Sequence, residues 1–174
     1  MDGLIHIYEG NGKGKTTAGV GLAVRCAGRG RKVVYSQFLK DGSSGEIGVL
    51  KNIPGIIVMT GGKNFGFTFR MNEEQKKEAA AFYRKLFLDI VNTAVEKKAG
   101  LLVMDEVLDA CNSGMLDTRE LVDFLKNRPK DMEVVLTGRN PAPELVEMAD
   151  YVTQMTKKKH PFDRGIGARE GIEM

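Results

Sequence analysis

The sequence predicts a three-layer α/β/α protein built on a mostly parallel sheet of about six strands. Three observations predict it. Short apolar segments alternate with helix-like ones along the whole chain. The apolar segments are continuous runs rather than period-two alternations, Leu101-Leu102-Val103-Met104 being the clearest, so both of their faces are expected to be covered. Polar and glycine-rich clusters follow the carboxyl ends of these runs, where ligands bind in such sheets: Gly10 to Thr17, Lys40 to Gly45, Gly61 to Thr68, Asp105-Glu106 and Gly138-Arg139.

Leu4 to Tyr8 is a short apolar strand that runs into a glycine turn. Lys15 to Arg29 reads as a helix, with Val20, Val24 and Ala27 at helical spacing and Gly28 and Gly30 to stop it. Lys32 to Phe38 is β-branched and aromatic, hence a second strand. Asp41 to Gly45 is a loop, and Ile56 to Met59 a strand between Pro54-Gly55 and Gly61-Gly62. Asn72 to Lys98 reads as the longest helix; Asn72 followed by Gln75 resembles a capping box, and Gly100 is expected to end it. Leu101 to Met104 is a strand that finishes on Asp105-Glu106. Asp117 or Thr118 caps a helix to about Asn127. Glu133 to Thr137, Pro141 to Met148 and Tyr151 to Met155 then read as strand, helix and strand.

A chain of 174 residues fits one domain, 1–174, with room for a core. Apolar residues at 42% and charged residues at 28% give a globular composition. A net charge of +3 is too small to argue for nucleic acid. Cys26 and Cys111 are far apart and are expected to be reduced, buried small hydrophobes. Met1 to Tyr8 carries no basic segment before a long apolar run, and no run approaches the ~20 residues of a membrane helix. The expectation is a cytoplasmic protein with no membrane partner.

The turn Gly10-Asn11-Gly12-Lys13-Gly14-Lys15-Thr16-Thr17 carries the chemistry. Glycines let backbone N–H groups face an anion, and the helix that follows aims its positive end at the same point. Lys15 can reach phosphate oxygens, and the Thr16 hydroxyl can bind a magnesium ion. The full pattern GxxxxGK[ST] is not met, because Glu9 stands five residues before Gly14. What is met is GKT opening a helix after a strand, as in P-loop NTPases. Asp105-Glu106 ends an apolar strand as a Walker-B acid does, and one of the two is expected to approach Thr16 and complete the metal site. The plainer alternatives are a glycine turn with surface lysines and a cap beside a strand.

Further segments resemble one family. Gly10 to Thr17, Val103-Met104-Asp105-Glu106, Leu136-Thr137-Gly138-Arg139, Ala149-Asp150, Lys159 to Ile166 and Gly171-Ile172-Glu173 closely resemble the P-loop type ATP:corrinoid adenosyltransferases, from about residue 3 to the C-terminus. The resemblance implies that a corrinoid reduced to Co(I) attacks the 5′ carbon of ATP and that triphosphate leaves intact. It implies nucleotide binding by Gly10, Asn11, Gly12, Lys13, Gly14, Lys15, Thr16 and Thr17. It also implies catalytic roles for Lys15, Glu106 and Arg139, and magnesium on Thr16 and Glu106. Phe67 and Phe69, in Phe65-Gly66-Phe67-Thr68-Phe69, match the family's corrinoid-facing aromatic pair, and some relatives carry tryptophan at Phe69. The resemblance further suggests a homodimer. No flavin motif or dithiol is present, so electrons are expected from an external donor such as a flavoprotein.

The basic, turn-rich run Lys157 to Gly165 is read as an active-site lip, or else as a solvated tail. Some relatives carry an extension before the first strand; here the cover over the corrinoid is expected to be shorter, supplied otherwise or absent. Three rival functions use the same loop: a P-loop ATPase, a small-molecule kinase and a nucleotide-sensing module without turnover. No arginine-finger segment or nucleic-acid arm is evident, and Lys15, Thr16 and Glu106 argue against a sensor.

Overall fold

The strands are β1 (Ile5–Glu9), β2 (Val33–Gln37), β3 (Ile56–Thr60), β4 (Leu101–Asp105), β5 (Glu133–Gly138) and β6 (Tyr151–Gln154). The helices are α1 (Lys15–Ala27), α2 (Gly45–Leu50), α3 (Glu73–Glu96), α4 (Val107–Asn112), α5 (Thr118–Asn127) and α6 (Pro143–Met148). This computed structural model describes residues 2–63, 65–66 and 71–173. The strands form one sheet in the order β3-β2-β4-β5-β1-β6, and every pairing is parallel.

The continuous apolar runs are covered on both faces, as their composition requires. Neighbouring residues of one strand enter opposite cores. Val34, Leu102, Met104, Val134 and Leu136 pack with Phe87 and Ile90 of α3 and Leu121 and Leu125 of α5. Val33, Tyr35, Leu101, Val103 and Val135 pack with Ala23 of α1 and Ile47 and Leu50 of α2. The three-layer expectation is therefore met. Only β6 departs from it: all four of its residues are exposed, as befits a sheet edge.

Side-chain caps open two of the helices, α3 and α5. The Asn72 side chain accepts from Gln75 N at 2.8 Å while Asn72 N donates to Gln75 Oε1 at 3.0 Å, which is the capping box. The other end of α3 differs from expectation. The left-handed residue is Lys98, with φ 52°, and Ala99 N donates to Ala94 O. Gly100 serves packing instead: a Cβ there would lie 2.6 Å from Arg31 Nε. The Asp117 side chain accepts from Arg119 N and caps α5.

Two short helices, α2 and α4, lie where the pattern predicts none. Gly45 and Gly48 depress helix propensity in α2. The six residues of α4 are too few to show a period. Cys26 and Cys111 are free but only partly buried, rather than fully so. Burial pushes both thiols up, Cys111 to about 11, so neither is a ready nucleophile. Among the described residues no helix is long and apolar enough to cross a membrane.

Candidate active site

The turn after β1 is glycine-rich because another backbone presses on it. A Cβ on Gly10 would lie 2.5 Å from Met155 O, and one on Gly12 would lie 2.6 Å from the same oxygen. Gly12 N donates to Met155 O at 2.6 Å, and Met155 N to Glu9 O at 2.8 Å, so the chain leaving β6 clamps the turn. Gly14, at φ 119°, caps α1 without a side-chain hydrogen bond, and the first turn of α1 holds no acid. The positive end of a 13-residue helix is thereby left to face an anion. Lys15 is buried, with Nζ donating to Gly12 O at 2.9 Å. Asn11 braces the tail, since its Oδ1 accepts from Lys157 N at 2.9 Å.

Beneath the turn lies a buried carboxylate. Thr16 Oγ1 donates to Asp105 Oδ1 at 2.9 Å, and Asp105 has no exposed surface. Of the predicted pair, Asp105 is thus the residue that reaches Thr16. β5 stands between β1 and β4, and it contributes Thr137, whose Oγ1 donates to Asp105 Oδ1 at 2.7 Å and accepts from Glu106 N at 2.9 Å. Lys40 Nζ donates to Asp105 Oδ2 at 2.8 Å and approaches Thr16 Oγ1 at 3.3 Å. Gln37 Nε2 bonds Glu46 Oε1 at 3.0 Å and approaches Asp105 Oδ2 at 3.4 Å. Lys40, Thr137 and Gln37 escape a reading of local motifs. Their only sequence signal is their place at the carboxyl ends of β2 and β5.

Glu106 lines the cavity above this corner. Its φ of 61° turns the chain sharply from β4 into α4. Burial, followed by the negative charge of Asp105, pushes its carboxyl up to about 7; Lys40 opposes the shift and Asp109 adds to it. Burial alone would lower the Lys40 ammonium, but Asp105 together with Glu106 and Glu46 outweighs it and the net shift is upward. Among the described residues none donates a hydrogen bond to the buried Asp109 Oδ2, and a Cβ on Gly138 would lie 2.5 Å from it. Glycine at 138 therefore leaves room for the Asp109 carboxylate beside Glu106.

These groups open into a cavity of ≈ 810 Å³. Lys13, Gly14, Lys15, Thr16 and Thr17 form one wall, Lys40, Glu46 and Glu106 another, and Gly171 to Glu173 of the tail a third. Glu173 bonds Lys13 Nζ at 3.0 Å and Arg169 Nη2 at 2.8 Å, which hold its carboxyl well below the usual range. A smaller hollow of ≈ 400 Å³ joins Lys13 to Lys157 to His160 and Arg169. The tail is therefore ordered against the turn. Both histidines have structural partners: His6 pairs with Glu133, and His160 Nδ1 accepts from Phe162 N.

Arg139 follows β5 at the same end of the sheet, but it is exposed and lies outside the cavity wall. Phe67 and Phe69 lie outside the described residues. Next to them, Phe65 is anchored on α3, with ring centroids 5.2 Å from Phe82 and 5.8 Å from Tyr83.

The donor set suits a small hard cation. Among the described residues no cluster of three or more His, Cys, Asp or Glu forms a cage made of protein alone. Magnesium does not need one, because it uses one or two carboxylates together with water and substrate phosphates. Thr16, Asp105 and Glu106 supply oxygen donors of that kind beside the phosphate turn.

The family model described as ATP:corrinoid adenosyltransferase BtuR/CobO/CobP matches residues 1–174. The chain belongs to this family. A corrinoid adenosyltransferase of Pseudomonas aeruginosa is 33% identical over 98% of this chain and 83% of its own length. One from Sinorhizobium sp is 34% identical over 98% of this chain and 80% of its own length, and one from Escherichia coli K12 is 32% identical over 98% and 85%. A solved structure of EssC (ATPases 2 and 3) from Geobacillus thermodenitrificans aligns with a TM-score of 0.51 at 15% identity. It covers 99% of this chain and 36% of that one, and the likeness concerns the fold alone.

Proposed function

We propose that this protein is an ATP:corrinoid adenosyltransferase that moves the 5′-deoxyadenosyl group of ATP onto the Co(I) of a reduced corrinoid and releases intact triphosphate. The observation that carries the reading is the wall of Lys13, Lys15 and the uncapped N-terminus of α1 around one cavity. That wall suits a leaving group with several negative charges, and among the described residues no cysteine or histidine lines the cavity. Both thiols are held up by burial.

The cobalt of the substrate brings its own electron pair. That pair forms the Co–C5′ bond as the C5′–O bond breaks, and the oxygen leaves with the bonding electrons as triphosphate. The protein has two tasks: to stabilise the charge that grows on the leaving oxygen, and to align cobalt, carbon and oxygen in line. Lys13, Lys15 and the α1 amides serve the first task. Magnesium held by Thr16 and Glu106, with Asp105 behind them, would neutralise phosphate charge. Apolar residues of the cavity wall, Val20, Val49 and Ile172, offer a surface for the base. Phe67 and Phe69 serve the corrinoid side, where displacing the lower axial ligand makes Co(II) easier to reduce. An external donor such as a flavoprotein supplies the electron, and the working unit is a cytoplasmic homodimer.

Incubation with MgATP and a chemically reduced corrinoid tests the reading. A light-sensitive cobalt–carbon product supports it. Consumption of ATP without such a product returns the chain to the ATPase or kinase class. For the aromatic pair, Phe67→Ala is expected to slow turnover from Co(II) far more than from pre-reduced Co(I). Equal losses from both starting states reject that role.

A further inference from the structure

The carboxylate of Asp105 has no exposed surface and about four acceptor positions. Four donors already use them: Thr16, Thr137, Gln37 and Lys40. A divalent ion bound on Thr16 with Asp105 behind it would stand against whichever of the four donors is itself a cation, and Lys40 Nζ lies only 3.3 Å from Thr16 Oγ1. Thr137 and Gln37 are wholly buried within the sheet, and Thr16 is itself an oxygen donor for the ion. Lys40 is the remaining donor. It alone carries a positive charge, its side chain is 29% exposed, and it stands on the cavity wall.

The backbone is bent to bring it there. Phe38 N donates to Asp105 O at 2.9 Å, which pins the end of β2 to β4. The next residue, Leu39, has a φ of 56°, a left-handed conformation that a branched side chain rarely adopts. That turn directs Lys40 back over Asp105 and Thr16. An ammonium and a divalent cation cannot share two oxygens at such range, because the like charges repel.

We propose that Lys40 is a further triphosphate-binding residue, whose ammonium holds the Thr16–Asp105 corner until a divalent cation takes it and then passes to the phosphate oxygens that arrive with the cation. The exchange keeps the buried carboxylate compensated throughout and delivers a fourth positive group to the leaving triphosphate. The proposal rests on the reading of the cavity as a triphosphate holder.

The test uses manganese(II) and inorganic tripolyphosphate without nucleotide or corrinoid, so its outcome is independent of transferase activity. Lys40→Met is expected to bind manganese alone at least tenfold more tightly than wild type. At saturating manganese it is expected to bind tripolyphosphate at least tenfold more weakly. Lys13→Met, which removes a charge from the same cavity but touches neither Thr16 nor Asp105, is expected to change manganese affinity less than threefold. Unchanged manganese affinity in Lys40→Met, an equal gain in Lys13→Met, or unchanged tripolyphosphate affinity overturns the proposal. Failure of the wild type to bind tripolyphosphate overturns the holder reading and the proposal together.

The wild-type protein gives a readout that needs no variant. Acylation of Lys40 by a lysine-reactive reagent, followed by peptide mass spectrometry, is expected to be slow without metal. It is expected to become at least fivefold faster with manganese alone and slow again once tripolyphosphate is added. A rate indifferent to manganese rejects the exchange.

Discussion

Thr16 Oγ1 donates to Asp105 Oδ1 across 2.9 Å, although 89 residues separate them in the chain. The bond joins the phosphate turn after β1 to the carboxyl end of β4, two strands away in the sheet. Asp105 is also the counter-charge of Lys40. Asp105→Asn would keep the shape and leave Lys40 largely buried without its anion. Removing one partner of such a pair costs about 3 kcal/mol. Chemical denaturation of the nucleotide-free protein is expected to show a loss of that order, and an unchanged midpoint contradicts the assignment.

Lys15 has a different standing. Among the described residues its Nζ bonds only a backbone oxygen, Gly12 O, so its loss leaves no buried charge there unpaired. Lys15→Met is expected to keep the far-ultraviolet spectrum and melting point of the wild type. It is expected to lose about a hundredfold or more in kcat/KM, the scale of one oriented electrostatic donor. Near-normal turnover refutes the role given to the turn.

Glu106 gives a pH dependence of known sign. Its carboxyl is raised to about 7 in the folded protein, chiefly by burial and then by Asp105. Between the ordinary carboxylate range and pH 7 the unfolded chain has lost this proton while the folded one holds it. The nucleotide-free protein therefore loses stability as pH rises through that window. Glu106→Gln removes the slope and is expected to be more stable than wild type at pH 8 by about 3 kcal/mol. Parallel stability–pH curves for the two proteins contradict the shift.

The glycines separate into two kinds. Gly12→Ala drives a Cβ to 2.6 Å from Met155 O and is expected to cost about 2 kcal/mol or more and to weaken nucleotide binding. Gly21→Ala, on the exposed side of α1 with nothing within 4 Å, is expected to stabilise by about 0.5–1 kcal/mol. Melting curves of both variants check the contrast, and equal effects refute it.

How far the sequence could be read follows from what each feature depends on. The turn and the start of α1 depend on adjacent residues, and Gly14-Lys15-Thr16 announces them. The α3 cap rests on Asn72 and Gln75, three residues apart, and is equally legible. That an acid would meet Thr16 was legible in Asp105-Glu106; which one was not, because the choice is set by the left-handed turn at Glu106, a residue type that does not signal one. Thr137 and Lys40 were legible only as members of segments, Leu136 to Arg139 and Lys40 to Gly45, and their contacts with Asp105 were not, for another reason. They enter the site only because β5 lies between β1 and β4 and β2 flanks β4, and strand order is a tertiary property. The ending of α3 misled through Gly100, whose missing side chain serves Arg31 rather than the helix.

The central claim is that the cavity holds triphosphate as a leaving group while bonding changes at the ribose carbon. Phosphorus NMR of a single-turnover mixture of protein, MgATP and chemically reduced corrinoid tests this most directly. The account predicts inorganic triphosphate in equal amount to the alkylated corrinoid. ADP with orthophosphate, at any yield that tracks ATP loss, would contradict it.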